Sequence, residues 1–297
     1  MIPYITNQQI KNLNIPDTTA IEWVKQAFLL KERAYLPHKT SISYDGDKFF
    51  NIMPTIIPEL DIMGIKAVSR YPERTPTIDG HILCYNYKNG NLTHMLDAAH
   101  ITATRTGAVC ALAVNTLAIS DFNTISLIGL GDVGYSVMKH LIAFYPDRNM
   151  HIKLFKYKDH AEKFCSYFNK HKTLTFSIHQ SMQDFISDSD VVISCITNAT
   201  ETLAQPEWFK PGVLLVPVHT KGFQPCDLVF DKVFADDTEH VSGFRYFSQF
   251  KQFAELSDVL RGTIKGRENN QERIISYNIG IALHDIVFAK HIIEQIG

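Results

Sequence analysis

Apolar residues recur along the chain in two rhythms. Between residues 19 and 34, Ile21, Val24, Ala27 and Phe28 follow a helical period. Short apolar runs then alternate with turn residues, as in Tyr44-Asp-Gly46, Thr77-Ile-Asp-Gly80 and Lys88-Asn-Gly90, which predicts strands; Asn89-Gly90 is a hairpin signal between 83–87 and 92–95. From 102 to 118, Ala108, Val109, Leu112, Ala113 and Leu117 mark one face of a second helix. Strand-like runs follow at 124–130, 151–157, 173–178, 190–195, 213–218 and 232–235, with helical or loop segments between several of them. Six strands in that rhythm predict a doubly wound, mainly parallel sheet. The last helical stretch, 279–295, is apolar over much of its circumference and needs cover on more than one side. It is expected to return to the N-terminal part. The pattern thus predicts an α/β chain: a doubly wound parallel-sheet domain at 119–274 and a second, α+β domain made from 1–118 with 275–297.

The sharpest local signal is Gly129-Leu-Gly131-Asp132-Val133-Gly134, set between a strand-like run at 124–128 and a helix-like stretch at 135–144, with a second strand-like run beyond. Strand, glycine turn, helix and strand in that order are what a dinucleotide-binding unit needs. Backbone N–H groups of such a turn approach a pyrophosphate, whose charge sits at the positive end of the helix. Lys156 lies 22 residues after Gly134, with Lys158 just beyond it. An acid in that region serves the ribose of NAD, whereas a basic residue favours the 2′-phosphate of NADP. NADP is the expected cofactor, with NAD open should Asp159 bend back to the ribose. The stretch 189–197 reads as another buried strand ending in small polar residues, and Cys195, Thr197 and Asn198 are candidates for the nicotinamide end, or simply a polar loop after a core strand.

Charge narrows the partners. Lys plus Arg total 29 against 31 for Asp plus Glu, so the chain has no large field to attract a nucleic acid or a membrane surface. No apolar run reaches the length of a spanning helix, and Met1-Ile-Pro-Tyr lacks the pattern of a secretory leader. A soluble, cytoplasmic protein is expected. The five cysteines include no C-x-x-C pair, which argues against a disulfide framework or zinc site, and the 13 histidines include no H-x-x-x-H or H-E-x-x-H pattern, so no metal is expected.

Three cations stand out in the first part of the chain: Lys39, Lys66 and Arg105. The fork of Arg105 suits a carboxylate or phosphate, its alternative being a solvated side chain or an ordinary salt bridge. Lys66 lies in a strand-like apolar run, where an unpaired charge is costly unless the strand is at an edge and the lysine points outward. Downstream, the strand-like Val213-Leu-Leu-Val216 runs into Pro217-Val-His219-Thr-Lys221-Gly. It delivers a histidine and a lysine to the edge where a proton donor is wanted.

Taken together, these residues resemble the ornithine cyclodeaminase and mu-crystallin family. The segment from Leu96 through Arg105-Thr-Gly-Ala to Ala118 is similar to the family's "LDgxxLTxxRTaAxSALAxxxLA"; further pieces are Asn51-Ile-Met-Pro54, Gly64-Ile-Lys-Ala-Val-Ser69, the glycine turn, Pro206-Glu-Trp-Phe-Lys-Pro-Gly212, Gly266-Arg-Glu, and Gly280-Ile-Ala-Leu-His-Asp285. The resemblance implies a Rossmann domain plus a substrate-binding and dimerisation domain, hence a homodimer. It also implies NAD or NADP as cofactor, small amino acids or their imines as substrates, and a substrate carboxylate held by Lys39, Lys66 and Arg105.

Two departures shape the functional expectation. Cyclodeaminases place an aspartate in the turn after the fifth strand, where this chain has Lys221 at or next to that position. Ser276-Tyr-Asn278-Ile-Gly280 stands where many members have Ser-Val-Gly, and the asparagine resembles the branch that reduces imines formed between two amino acids. The expected activity is therefore an imine reductase or amino-acid dehydrogenase. It moves hydride between nicotinamide and the alpha carbon, with Lys66, Lys221 and His219 as candidate catalytic residues. The alternatives are an ornithine or lysine cyclodeaminase with catalytic NAD, and a non-catalytic binder of NADPH and a small ligand.

Overall fold

A computed structural model of the chain describes residues 1–197, 199 and 201–297. It divides into two compact units, residues 1–105 with 280–297 and residues 106–279.

The first unit opens with β1 (Tyr4–Ile5), α1 (Asn7–Asn12) and α2 (Asp17–Leu30). Thr6 caps α1 by accepting from the Gln9 backbone N–H while the Gln9 side chain accepts from the Thr6 N–H, a reciprocal pair that satisfies two orphan donors. Then follow β2 (Thr40–Tyr44), β3 (Lys48–Ile57), β4 (Ile62–Arg70), β5 (Ile78–Asn86) and β6 (Leu92–Asp97). They form one sheet in the order β1-β6-β5-β4-β3-β2, antiparallel except where β1 joins β6. Asn89-Gly90 lies in the β5–β6 connection, as its turn chemistry predicts. Thr77-Ile-Asp-Gly80 is not a turn: Ile78 to Gly80 begin β5, paired with Arg70 to Val68. A Cβ on Gly80 would stand 2.8 Å from the Val68 Cα, so this glycine serves close strand approach instead. α3 (Ala99–Leu117) carries the chain from this unit into the next, the division falling after Arg105.

The second unit contains β7 (Thr124–Ile128), α4 (Asp132–Phe144), β8 (Met150–Phe155), α5 (His160–Phe168), β9 (Leu174–His179), α6 (Met182–Ile186), β10 (Val191–Ser194), β11 (Leu214–Pro217), β12 (Lys232–Ala235), β13 (Phe253–Glu255), α7 (Leu256–Arg261) and β14 (Ile274–Tyr277). Its sheet is wholly parallel, in the order β13-β12-β14-β11-β10-β7-β8-β9. Residues of β10, β11, β12 and β14 are buried throughout, as expected of strands covered on both faces. The order reverses between β7 and β10, and ligands of such sheets bind beyond the carboxyl ends at that switch. The sheet is doubly wound and parallel, as the apolar rhythm predicts, with β13 and β14 added to the six expected strands.

From Gly280 the chain returns to the first unit as α8 (Ala282–Ile296). This helix packs on β3, β4 and β5 with one side and on α2 with another. Trp23 meets Phe288 edge-on at 5.1 Å and stacks on His291 at 4.7 Å. Two covers explain why the helix is apolar over so much of its circumference.

Candidate active site

The glycine turn has the geometry of a phosphate cradle. Gly129 has φ +88°, and a Cβ there would sit 2.6 Å from the Cys195 carbonyl oxygen and from the Ile196 nitrogen. Only glycine fits that turn. Gly131 caps α4 and faces open space: no atom lies within 4 Å of a Cβ built on it. Gly134, in the first turn, lets α4 approach the turn, since its Cβ would lie 2.6 Å from the Gly129 carbonyl oxygen. The three glycines thus perform the turn, approach and packing roles of a dinucleotide fingerprint, and Asp132 and Val133 add backbone N–H groups at the positive end of α4. The residues present fit a nicotinamide dinucleotide.

Lys156 follows β8 and pairs with Glu162 in the first turn of α5. Lys158 adopts φ +49° in the connecting turn, with its Nζ 5.2 Å from the centre of the Tyr157 ring. Asp159 is engaged by Lys163 at 2.8 Å, which lowers its pKa. At the end of β10, Cys195 is partly buried beside Gly129 and Thr197 is exposed; Asn198 lies outside the described residues.

In the first unit, Lys66, Arg105 and Asp285 meet in the interior. Lys66 projects from β4, an inner strand, and is 1% exposed. Its Nζ donates to the Asp285 Oδ1 at 2.7 Å, and the Arg105 Nε donates to the same oxygen at 3.2 Å. Arg105 lies in the second turn of α3, which begins at Ala99. Gly280, at φ +102°, faces the guanidinium so closely that a Cβ would lie 2.6 Å from one of its terminal nitrogens. Burial lowers the Lys66 ammonium to a pKa of about 8; Asp285 opposes this, while Arg105 and Lys39 add repulsion. That repulsion puts Lys39, just before β2, within electrostatic reach of Lys66. The Asp285 pKa is lowered despite its burial, chiefly through Arg105 and then Lys66. Two cations therefore share one carboxylate, and the surplus positive charge suits an anionic ligand.

Beyond β11, His219 clamps the loop that carries Lys221. Its Nδ1 lies 2.6 Å from the Lys221 carbonyl oxygen, which can only accept, so Nδ1 bears the proton and Nε2 accepts from the Ser194 hydroxyl at 2.6 Å. Burial pushes the ring down to about 4, leaving it neutral at physiological pH. The Lys221 side chain is exposed. Further along, Asp227 is buried against Tyr277, whose hydroxyl donates to Oδ1 at 2.5 Å; burial raises Asp227 to about 7, and its Oδ2 has no partner among the described residues. No group of three or more histidine, cysteine or acidic side chains among the described residues could hold a metal.

Asp285 ends one segment of the family resemblance but is not among the candidate site residues read from the sequence. A signal for it exists: an acid among Leu283, Ile286 and Val287, in a helix apolar nearly all round, must be buried and must find a cation.

The ornithine cyclodeaminase/mu-crystallin family profile matches residues 5–297. The chain is 23% identical to a delta(1)-pyrroline-2-carboxylate reductase of Bacillus thuringiensis, over 99% of this chain and 96% of that one. It is 27% identical to the ketimine reductase mu-crystallin of Macropus fuliginosus, over 83% of this chain and 80% of that one. Among solved structures, the delta(1)-pyrroline-2-carboxylate reductase of Thermococcus litoralis, in complex with NADH and L-proline, superposes with a TM-score of 0.88 at 24% identity, covering 99% of this chain and 97% of that one. With a profile match that runs nearly from end to end, the chain belongs to the ornithine cyclodeaminase/mu-crystallin family.

Proposed function

We propose that the protein is an NAD(P)-dependent reductase of small imino acids, acting on the C=N bond next to a carboxylate. The observation that carries this reading is the buried Lys66–Asp285–Arg105 cluster, with a net positive charge that a substrate carboxylate would balance. The relatives named as pyrroline-2-carboxylate and ketimine reductases support the same chemistry.

When bound, a reduced nicotinamide supplies a hydride to the imine carbon. The chain's residues supply the rest. Gly129, Gly131 and the N-terminus of α4 hold the pyrophosphate, and Cys195 and Thr197 flank the nicotinamide end. Lys66 and Arg105, with Lys39 nearby, fix the substrate carboxylate, and that positioning lowers the barrier by orienting the carbon. The imine nitrogen needs one proton as its carbon takes the hydride; Lys221 and Lys66 are the ammonium donors on offer. His219, neutral and engaged at both nitrogens, supports the Lys221 loop. A lysine where cyclodeaminases carry an aspartate favours reduction over cyclodeamination.

The cofactor is read as NADP, from Lys156 and Lys158 beyond β8, with Glu162 beside Lys156 leaving NAD usable. The protein is read as a cytoplasmic homodimer. All five cysteines are free, which suits a reducing compartment. The face of the first unit's sheet opposite α8 carries half-buried Pro54, Ile56, Met63, Ile65 and Tyr85 around a cavity of about 660 Å³, an apolar surface suited to a second copy. Light scattering at twice 33.8 kDa would bear out the dimer, and a monomer would refute it.

The activity is tested by NADPH and NADH oxidation with five- and six-membered cyclic imino acids, and with 2-oxo acids mixed with amines. Turnover of a carboxylate-bearing imine, lost in Arg105→Ala, is expected. Turnover of none of these, or of neutral imines equally well, would refute the reading.

A further inference from the structure

Asp285 poses a physical puzzle that the reductase reading leaves open. It is fully buried, it takes two cations on a single oxygen, and its second oxygen is buried with no partner among the described residues. A carboxylate meant only to neutralise two cations would offer both oxygens, as a bidentate partner of Arg105 would. Its position also looks counterproductive. A negative charge in an anion site repels the incoming carboxylate, so attraction alone would favour a neutral residue here.

The surroundings of Lys66 resolve the puzzle. Among the described residues, the charged groups that bear on it, apart from Asp285 on α8, are cations: Arg105 on α3 and Lys39 before β2. Burial works in the same direction, against the ammonium. Around Asp285 itself, Lys66, Arg105 and the adjacent His284 all favour its charged form. Without the aspartate, no charged group found near Lys66 among the described residues favours its ammonium. A neutral Lys66 could no longer bind a carboxylate through charge. We propose that Asp285 is a positioning residue for substrate binding, which keeps Lys66 an ammonium and fixes Arg105 by its Nε, so that the cradle has its charge and shape before a carboxylate arrives.

The proposal rests on the carboxylate-cradle reading and deepens it. It makes opposite predictions at different pH, which a merely structural aspartate would not. With Lys66 at about 8, carboxylate affinity in the wild-type protein falls as pH rises through that value, approaching about tenfold per pH unit beyond it. In Asp285→Asn, affinity at pH 6 is preserved or tightened, because a repulsive charge is gone. The falling limb, however, starts about one pH unit lower or more. Asp285→Glu keeps the charge and restores the limb to near its wild-type position.

The test is calorimetric titration of L-proline into the protein saturated with NADPH, a pair that cannot turn over, from pH 6 to 10, with melting curves of each variant. A limb shifted downward in Asp285→Asn and restored in Asp285→Glu is the expected result. An unshifted limb in Asp285→Asn, or affinity lost equally at every pH in a folded variant, would overturn the proposal while leaving the cradle reading standing. Should Asp285→Asn not fold, Asp285→Glu decides: a limb kept near 8 supports the role of charge, and one displaced by a unit or more overturns it. Wild-type protein that binds no carboxylate at any pH would overturn the cradle and this proposal together.

Discussion

The glycine turn allows stability and cofactor binding to be separated by one methyl group. Gly131 has φ −96° and ψ −164°, an extended conformation that alanine adopts freely, and a Cβ there meets nothing. Gly131→Ala should therefore leave stability within about 0.5 kcal/mol of the wild type, or raise it slightly by restricting the unfolded chain. The same methyl group stands where the backbone must approach a pyrophosphate. Losing one charge-assisted backbone bond costs ~1.5–3 kcal/mol, so NADPH should bind about 10–100-fold more weakly. Gly129→Ala has the reverse balance. Forcing a non-glycine residue into φ +88° costs ~1–2 kcal/mol, and the contacts with Cys195 and Ile196 add ~1–3 kcal/mol of overpacking. The melting temperature without nucleotide should drop by about 3–8 °C. Thermal melts of the protein alone, followed by NADPH titration monitored by nicotinamide fluorescence, read both quantities. A Gly131→Ala protein that binds NADPH within twofold of wild type would refute the cradle, and a Gly129→Ala protein that melts with the wild type would refute the packing argument.

Three further outcomes follow from other parts of the molecule. Replacing Lys156 and Lys158 together by alanine should weaken NADPH by about tenfold or more, through loss of charge-assisted contacts to the 2′-phosphate, and leave NADH within about threefold; equal losses for both nucleotides would refute NADP preference. Arg105→Lys keeps the charge but loses the fork, so KM for a carboxylate-bearing imine should rise about 10–100-fold with a smaller change in kcat; an unchanged KM would remove Arg105 from the cradle. Asp227 titrates near 3.8 when unfolded and about 7 when folded, so in that window the native protein holds a proton that the unfolded chain releases. Its stabilising contribution is complete below pH 3.8 and is lost as pH rises through 7. Asp227→Asn, always neutral, should be more stable than wild type at pH 8 by about 2–4 kcal/mol and no more stable at pH 4; equal melting curves at pH 8 would count against a buried charge there.

Much of the second unit was legible because its physics is local. Strands buried on both faces read as continuous apolar runs, and the turn between β7 and α4 needs glycine for reasons of backbone geometry alone. β14 escaped the same reading. Only four residues long, with Ser276 buried inside it, it follows the polar stretch Arg267-Glu-Asn-Asn-Gln-Glu-Arg273 and gives no run long enough to stand out, although it occupies the middle of the sheet. Thr77-Ile-Asp-Gly80 misled in the other direction. A glycine beside an aspartate has turn composition whether it turns the chain or lets two strands close up, and only the partner strand, at Val68, separates the cases.

The site divides along the same line. Each cation could be singled out alone, since a lysine in an apolar strand and an arginine in an apolar helix each demand a partner. The identity of that partner could not be read locally, because Asp285 lies 219 residues from Lys66 and 180 from Arg105 in the chain. The order of synthesis makes this separation consequential. Lys66 and Arg105 are both in place before the second unit is made, and until residues 280–297 arrive, the first unit has two cations without their shared carboxylate and a sheet face without α8. Burying Lys66 unpaired would cost several kcal/mol, more than a small unit can spare. The first unit therefore cannot close early around these two cations. The helix that covers the sheet also brings the charge that makes the buried cations tenable, so completion of the first unit's fold and pairing of Lys66 and Arg105 with Asp285 are one event.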